Sequence, residues 1–477
     1  MAGTTRLLVS AAQKWPMENV RSASDRLQLF EILILGDLRY EYNLDGVGHG
    51  LVNSAHASCD QLLPASQRGT PLILVLVTLV GLWLMVRILW RRGSIPANLS
   101  RYPDPELIRG NVTVPFDPHD RLFSPPLSTR GRDIVDKDGK RVKLVSANWY
   151  GASDIYMVPG GLDVQNRTKI ARIIRELGFN SVRLPYADEI VRKNPIIDPE
   201  LLTANQDLVG FRALDVYAAV VRTLTETGLA VIINNHITQA RWCCDGYPCD
   251  MGWSNSDLGP LCPVRQTEED WIQDLITVMK PHINDPLVVG VDLRNEVRGF
   301  AGRFMWDSWA TAAEHASERL HQLQPRWLMI VEGVQSANDI RGAQDRPVRL
   351  TQQNKLVYSS HVYGWSGWGS LVPYWYRTYK SFAEDMDKNW EYLRQTDTAP
   401  VWVGEIGAPN SPSRRDYHYW RNLMRYLRKC DADFAYWAIN PRKPKSDATE
   451  TYGLLQDDWQ TPVYDYRLLD MAALRQK

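Results

Sequence analysis

From about residue 141 onward, short and nearly continuous apolar runs alternate with segments whose apolar residues recur at helical spacing. The runs are VKLVSANW (142–149), NSVRLPYA (180–187), AVIINNH (230–236), LVVGVDLRNE (287–296), WLMIVEG (327–333), KLVYSSHVY (355–363), VWVGEIG (401–407) and FAYWAIN (434–440), eight in all. Runs of this kind predict strands buried on both faces of a parallel sheet. Between them, Ile170, Ile173, Ile174 and Leu177 keep the i, i+3, i+4, i+7 spacing of a helix that stops at Gly178. Leu214, Tyr217, Ala218 and Val221 repeat it before Gly228. Ile272, Leu275, Ile276 and Met279 repeat it behind Thr267, a suitable N-cap followed by acidic residues. Eight strand–helix units in about 300 residues is the scale of a closed (β/α)8 TIM barrel, an α/β fold. A doubly wound open sheet is the rival, but no glycine fingerprint for a nucleotide follows the first run.

Upstream the pattern changes. Residues 71–90 (PLILVLVTLVGLWLMVRILW) carry Arg87 as their only charge. As a helix, about 20 residues span about 30 Å, the thickness of a bilayer's hydrocarbon core. With no polar face to meet water, the run predicts a single transmembrane helix; a signal peptide is the other reading. Residues 1–70 show no motif, and 91–132 read as a linker rich in proline and polar residues. The expected organisation is therefore an open N-terminal region (1–70), the span (71–90), the linker (91–132) and the barrel (133–477). Orientation is in conflict. Arg87, Arg91 and Arg92 follow the span, which by the positive-inside rule puts the barrel in the cytosol. Three sequons, at Asn98, Asn111 and Asn166, and a cysteine cluster favour an extracellular or lumenal barrel, and that side is expected here.

The cluster is Cys243, Cys244, Cys249 and Cys262, four of six cysteines. Four such thiols pair as two disulfides in one of three connectivities. A zinc site is the alternative use, though the paired C-x2-C spacing is missing, and free thiols are the third. Cys430, ahead of an apolar strand, reads as a buried free thiol. The charge balance, 55 basic against 55 acidic residues, argues against a nucleic-acid partner, whose phosphates favour a strongly basic face. The 18 tryptophans and 21 tyrosines suit sugar stacking, but a large barrel core absorbs aromatics as well.

Barrel enzymes collect their catalytic groups at the C-terminal ends of strands. There the runs carry Arg183 on the second, Asn234, Asn235 and His236 on the third, and Asn295 and Glu296 on the fourth. Glu332 ends the fifth, His361 and Tyr363 the sixth, Glu405 the seventh, and Trp437 and Asn440 the eighth. Singly, each is an ordinary cap, core histidine or packing ring. Together they place two carboxylates, two histidines, an arginine and aromatics at one end of successive strands. Cleaving a glycosidic bond needs this set: one carboxyl protonated for the leaving oxygen, the other ionised against an oxocarbenium-like centre. Arg183 and Tyr363 are expected to hold the second ionised by charge and hydrogen bonding. Glu332, the remaining carboxylate, reads as structural.

Leu293-Arg-Asn295-Glu296 and Val403-Gly-Glu405-Ile-Gly resemble the acid/base and nucleophile signatures of glycoside hydrolase family 5, the cellulase family. Val182-Arg183-Leu-Pro, Asn235-His236, His361-Val-Tyr363 and Tyr436-Trp437 resemble that family's active-centre positions in order, over roughly residues 140–465. The Asn-Asn-His segment followed by Trp-Cys-Cys is similar to a fungal and plant branch, as is the Glu450–Trp459 stretch. The resemblance implies a retaining double displacement. Glu296 serves as acid/base and Glu405 as nucleophile. Asn295 binds the 2-hydroxyl, Tyr363 contacts Glu405, and Trp437 is the platform under the reacting sugar. Arg183, His236 and His361 are the remaining expected substrate-site residues. Trp149, Trp242, Trp365 and Trp368 fall in loops at the same face as candidate outer subsites. The expected partner is an oligo- or polysaccharide, with β-glucan ahead of β-mannan or a glycolipid, and no cofactor or metal is expected. A membrane-tethered carbohydrate-binding protein on an inactive barrel is the second class, opposed by retention of both carboxylates. A metal-dependent hydrolase is the third, and no ligand cluster in the sequence recommends it.

Overall fold

The computed structural model describes residues 109–110, 112–114, 122–244, 246–298, 305–367, 372–444 and 448–475. The 71–90 run, the sequons at Asn98 and Asn111, and Trp368 lie outside the described residues. Among the described residues no helix is long and apolar enough to cross a membrane.

Two short strands, β1 (Ser128–Arg130) and β2 (Asp133–Val135), pair as an antiparallel hairpin. The eight apolar runs become β3 (Val145–Asn148), β4 (Ser181–Ala187), β5 (Ala230–Ile237), β6 (Val288–Asp292), β7 (Leu328–Glu332), β8 (Leu356–Val362), β9 (Val401–Ile406) and β10 (Asp433–Tyr436). They close into a barrel in sequence order, β10 pairing with β3, and every pairing around the ring is parallel. All but one of the barrel-strand residues are buried, as near-continuous apolar strands covered by helices must be. The expected (β/α)8 fold is what forms.

Helices follow most strands: α1 (Arg167–Glu176), α2 (Ala213–Glu226), α3 (Glu268–Met279), α4 (Trp306–Leu323), α5 (Tyr379–Met386), α6 (Arg414–Cys430) and α7 (Tyr466–Arg475). Asn166, an exposed sequon residue, caps α1 by accepting the Thr168 N–H, and Thr267 caps α3 in a reciprocal box with Asp270. Gly178 and Gly228, at φ +84° and +78°, turn the chain after α1 and α2, a backbone that side-chain-bearing residues resist. Between β7 and β8 the alternation lapses. That connection holds a four-residue turn (Val334–Ala337) kinked through left-handed Gln335 and Ser336, then a short 3-10 turn (Arg341–Gln344).

The hairpin corrects the expected boundary at 133, which cuts between its strands. Phe123, Leu127, Ile134, Val142 and Leu144 form one apolar cluster with Ala230, Ile232, Val289, Leu328, Ile330, Val357, Trp402 and Ala435 from the barrel strands. Most of those strand residues come early in their strands, so the segment from 122 plugs the end of the barrel opposite the strand C-termini. Residues 122–132 of the lead-in pack as part of the folded unit.

Candidate active site

Arg183 is the hub. It sits in the middle of β4 rather than at its end, and its fully buried guanidinium reaches across the barrel interior. Nε donates to Asp292 Oδ2 at 2.8 Å, Nη1 to Glu405 Oε1 at 2.6 Å and Asn148 Oδ1 at 3.1 Å, and Nη2 to Asn295 Oδ1 at 2.7 Å and Glu332 Oε1 at 2.9 Å. Strands β3, β4, β6, β7 and β9 thus meet in one polar knot. A buried arginine without its anions is costly, and buried anions without an arginine equally so. Burial opposes the charge of Arg183, but Asp292, Glu405 and Glu332 together raise its proton affinity further. Burial and the neighbouring Glu332 push the Asp292 carboxyl well above the ordinary carboxylate range. Burial also works on Glu332, yet His361, Arg183 and the Glu296 N–H hold it down at about 2.

The two proposed catalytic carboxyls flank this knot. Glu296 follows β6 in a left-handed backbone conformation, φ +46°, rare for a non-glycine residue. Its N–H donates to Glu332 Oε2 at 2.7 Å, and its carboxylate Oε1 lies 3.0 Å from His361 Nδ1. Glu405, in β9, receives Arg183 on Oε1 and the Tyr363 hydroxyl on Oε2 at 2.8 Å. His361 lies opposite it in the β8–β9 register, Nδ1 3.7 Å from Glu405 Oε2. Burial raises the Glu405 carboxyl against the pull of His361 and Arg183. One carboxylate oxygen each from Glu296 and Glu405 lie within 4.8 Å of one another.

A cavity of about 330 Å³ opens over this pair. Asn295 and the half-buried Trp437 line it, with Trp437 stacked on Tyr150 (5.0 Å, 4°) and on His236 (5.5 Å, 12°). His236 Nδ1–H donates to Asn234 Oδ1 at 2.8 Å, and burial beside Arg183 pushes its imidazole well below the usual range. Trp242 and Trp365, 41 % and 50 % exposed, both line the cavity, as subsite rings require. Trp149 does not. Its ring is fully buried and spends its N–H on the Gly160 carbonyl at 2.9 Å, so it offers no free face.

The cysteine cluster forms two disulfides, Cys243–Cys244 and Cys249–Cys262, one of the three open connectivities. With all four sulfurs so paired, the zinc use of the cluster is not what forms. The first disulfide lines the cavity, and its sulfurs take the Asn295 amide at 3.6 and 3.3 Å. Cys430 is free but half-buried, its thiol pushed up to about 12 by burial.

The profile for Cellulase (glycosyl hydrolase family 5) matches residues 135–443. The chain belongs to glycosyl hydrolase family 5. It is accordingly an O-glycosyl hydrolase. An endoglucanase from Paenibacillus polymyxa is 29% identical over 353 residues, covering 70% of this chain and 83% of that protein. A glycosyl hydrolase 5 family protein from Chamaecyparis obtusa is 29% identical over 366 residues, 70% and 63% of the two chains. This chain thus spans less than two thirds of that relative's length. Among solved structures, the catalytic domain of the major endoglucanase from Xanthomonas campestris pv. campestris superposes with TM-score 0.61 at 25% identity, covering 72% of this chain and 99% of that one. A cellotetraose complex of an endocellulase from Pyrococcus horikoshii gives TM-score 0.60 at 25% identity, covering 74% and 100%.

Some members of this family 5 site escaped the sequence. Asp292 hid inside an apolar run, and Glu332 read as structural although it touches both Arg183 and the Glu296 backbone. Lys443, Glu450 and Tyr452 also line the cavity. Glu450 and Tyr452 stand in a stretch already noted for its resemblance, which was the available signal. Glu296, His361 and Glu405 bring one donor atom each within 4.8 Å, a spacing that suits a metal as well as a proton. That corrects the expectation that no such cluster exists. Here, however, Arg183 already pairs with Glu405, and Glu332 and Glu405 raise the proton affinity of His361 well above the ordinary imidazole range.

Arg183→Leu is expected to cost about 3–5 kcal/mol in stability, since it strands buried carboxylates without a partner. Urea unfolding measures it; a loss below about 1 kcal/mol, the surface-pair scale, contradicts the hub role.

Proposed function

We propose that the chain is a retaining, endo-acting β-glucan hydrolase. The observation that carries this reading is the separation of Glu296 and Glu405, whose nearest carboxylate oxygens lie within 4.8 Å across an open cavity. Retaining glycosidases hold their carboxyls about 5–5.5 Å apart, while inverting ones leave about 6.5–9.5 Å for a water. Glu296 gives its proton to the leaving oxygen as Glu405 attacks the anomeric carbon. A glycosyl ester forms on Glu405, and the departing chain keeps the proton. Glu296, now ionised, takes a proton from water, whose oxygen displaces Glu405. Asn295 and Trp437, which line the cavity, bind the 2-hydroxyl and the sugar face respectively in this reading.

β-Glucan is favoured as substrate because the similar proteins named above include an endoglucanase, and a similar endocellulase holds cellotetraose. A groove walled by Trp242 and Trp365 on half-exposed rings suits a chain that continues past the cleaved bond. The 71–90 run serves as a single-pass anchor, and the two disulfides favour an extracellular or lumenal barrel.

The test is hydrolysis of soluble β-glucan, β-mannan and a β-glucosyl lipid by the full chain, with Glu405→Gln as control. Mid-chain cleavage of β-glucan ahead of the other two is expected. Preference for mannan or glycolipid overturns the substrate. Equal binding by both proteins with hydrolysis by neither makes the barrel a binding protein.

A further inference from the structure

We propose that Glu332 is a positioning residue which, through His361, fixes the oxygen of Glu296 on which the catalytic proton sits. The inference rests on the acid/base reading of Glu296 and extends it to a third carboxylate.

Glu332 is fully buried at the end of β7 and grips Glu296 in two ways. Its Oε2 accepts the Glu296 N–H at 2.7 Å, which ties down a left-handed backbone that a glutamate does not adopt freely. Its Oε1 lies 3.3 Å from His361 Nε2, and the opposite ring nitrogen, Nδ1, lies 3.0 Å from Glu296 Oε1. One imidazole therefore sits between the two carboxyls, in hydrogen-bond contact with Glu296 and at ion-pair distance, without hydrogen-bond alignment, from Glu332. The groups acting on that imidazole are His236 of β5, Glu296 after β6, Glu332 of β7 and Glu405 of β9, and Arg183 of β4 pairs with the last two.

The charge on the ring decides what Glu296 can do. Burial alone would strip its proton, but the charges of Glu332 and Glu405, with the hydrogen bond to Glu296, raise the imidazole's proton affinity well above the usual range. A doubly protonated ring has two donors and no acceptor. Nδ1–H then points at Glu296 Oε1, which must accept, so the acid's proton resides on Oε2. That oxygen has no hydrogen bond from the described residues, and Glu296 lines the cavity. A neutral ring with a bare Nδ1 would instead draw the Glu296 proton onto Oε1 and away from the glycosidic oxygen. Glu332 supplies the anion that prevents this. It is itself held ionised by His361, Arg183 and the Glu296 N–H, at about 2.

Two protons must therefore be present together, one on His361 and one on Glu296. Without the Glu332 charge, the first of them leaves at lower pH. In the full chain, Glu332→Gln keeps the shape and an acceptor for the Glu296 N–H while removing that charge. The alkaline limb of kcat/KM on an aryl β-glycoside with a poor leaving group is expected to move down by about one pH unit. That is about a tenfold loss on the alkaline side and little on the acid side. A loss uniform across pH, or an unmoved limb, overturns the proposal.

A second measurement does not depend on that variant folding. In the wild-type chain, ¹⁵N imidazole shifts of His361, assigned by their absence in His361→Asn, are expected to report a doubly protonated ring at neutral pH. A ring carrying a single proton there overturns the proposal. Failure of a 2-deoxy-2-fluoro glycoside to label Glu405 would instead strike the retaining reading and leave the imidazole result standing.

Discussion

Glu405→Gln is expected to lower hydrolysis of an aryl β-glycoside by roughly 10⁴-fold or more, the scale on which removal of a nucleophile acts. The amide matches the carboxylate in size, and its oxygen can still accept from Arg183, which reaches Oε1 of Glu405 at 2.6 Å, while its NH2 faces the Tyr363 hydroxyl, 2.8 Å from Oε2, and donates to it. The fold should therefore survive, and with it substrate binding. What disappears is the electron pair that forms the glycosyl ester. Glu405→Ala sharpens the test, because the shorter side chain leaves room for a small anion. Azide should then attack the anomeric carbon from the vacated side and release an inverted glycosyl azide. Steady-state kinetics and NMR of that product check the expectation. Activity retained within tenfold by Glu405→Gln would remove Glu405 from the chemistry.

Glu296→Ala is expected to behave differently on different substrates. General acid catalysis contributes about 10²–10⁴-fold, and only where the leaving group needs a proton. An unactivated glycan should therefore lose about that much. A dinitrophenyl glycoside, whose leaving group departs as a stable anion, should form the intermediate at nearly wild-type rate. Its hydrolysis should then stall, because Glu296 is also the base that activates water. A burst of dinitrophenolate followed by a slow steady state is the expected trace. Equal losses on both substrates, with no burst, would take the acid/base role away from Glu296. The substitution also removes the carboxylate partner of His361 Nδ1 at 3.0 Å, but leaves Glu332 on the other ring nitrogen. The imidazole should accordingly stay charged, and the kinetic change should report Glu296 alone.

The barrel was legible because parallel strands buried on both faces leave unbroken apolar runs, and all eight runs became strands. The helices α1, α2 and α3 were legible from their spacing and their terminators. The hairpin was not. β1 reads Ser-Thr-Arg, three polar residues with no alternation, and its role as part of a plug comes from neighbours such as Phe123 and Leu127. The chemistry at the strand ends could be read because polar residues are rare inside such runs. Depth could not. Arg183 occupies the middle of β4, and nothing in a row of letters says that its side chain crosses to β6, β7 and β9. Asp292 was passed over because a single acid in an apolar strand resembles an interruption, whereas in three dimensions it is a counter-ion. Tryptophans failed for a related reason. Trp149 and Trp365 stand in similar loop contexts, yet one is sealed under Gly160 and the other is half-exposed over the cavity. Pairing of the cysteines depended on the path of a loop that spacing does not determine.

The most direct measurement follows the anomeric configuration of freshly released product by ¹H NMR during hydrolysis of a soluble β-glucan. Two displacements, first by Glu405 and then by water, should return the β-anomer first, with the α-form growing in only as mutarotation proceeds. Initial release of the α-anomer would mean a single displacement by water. It would contradict a mechanism in which Glu296 and Glu405 attend to the same carbon in turn.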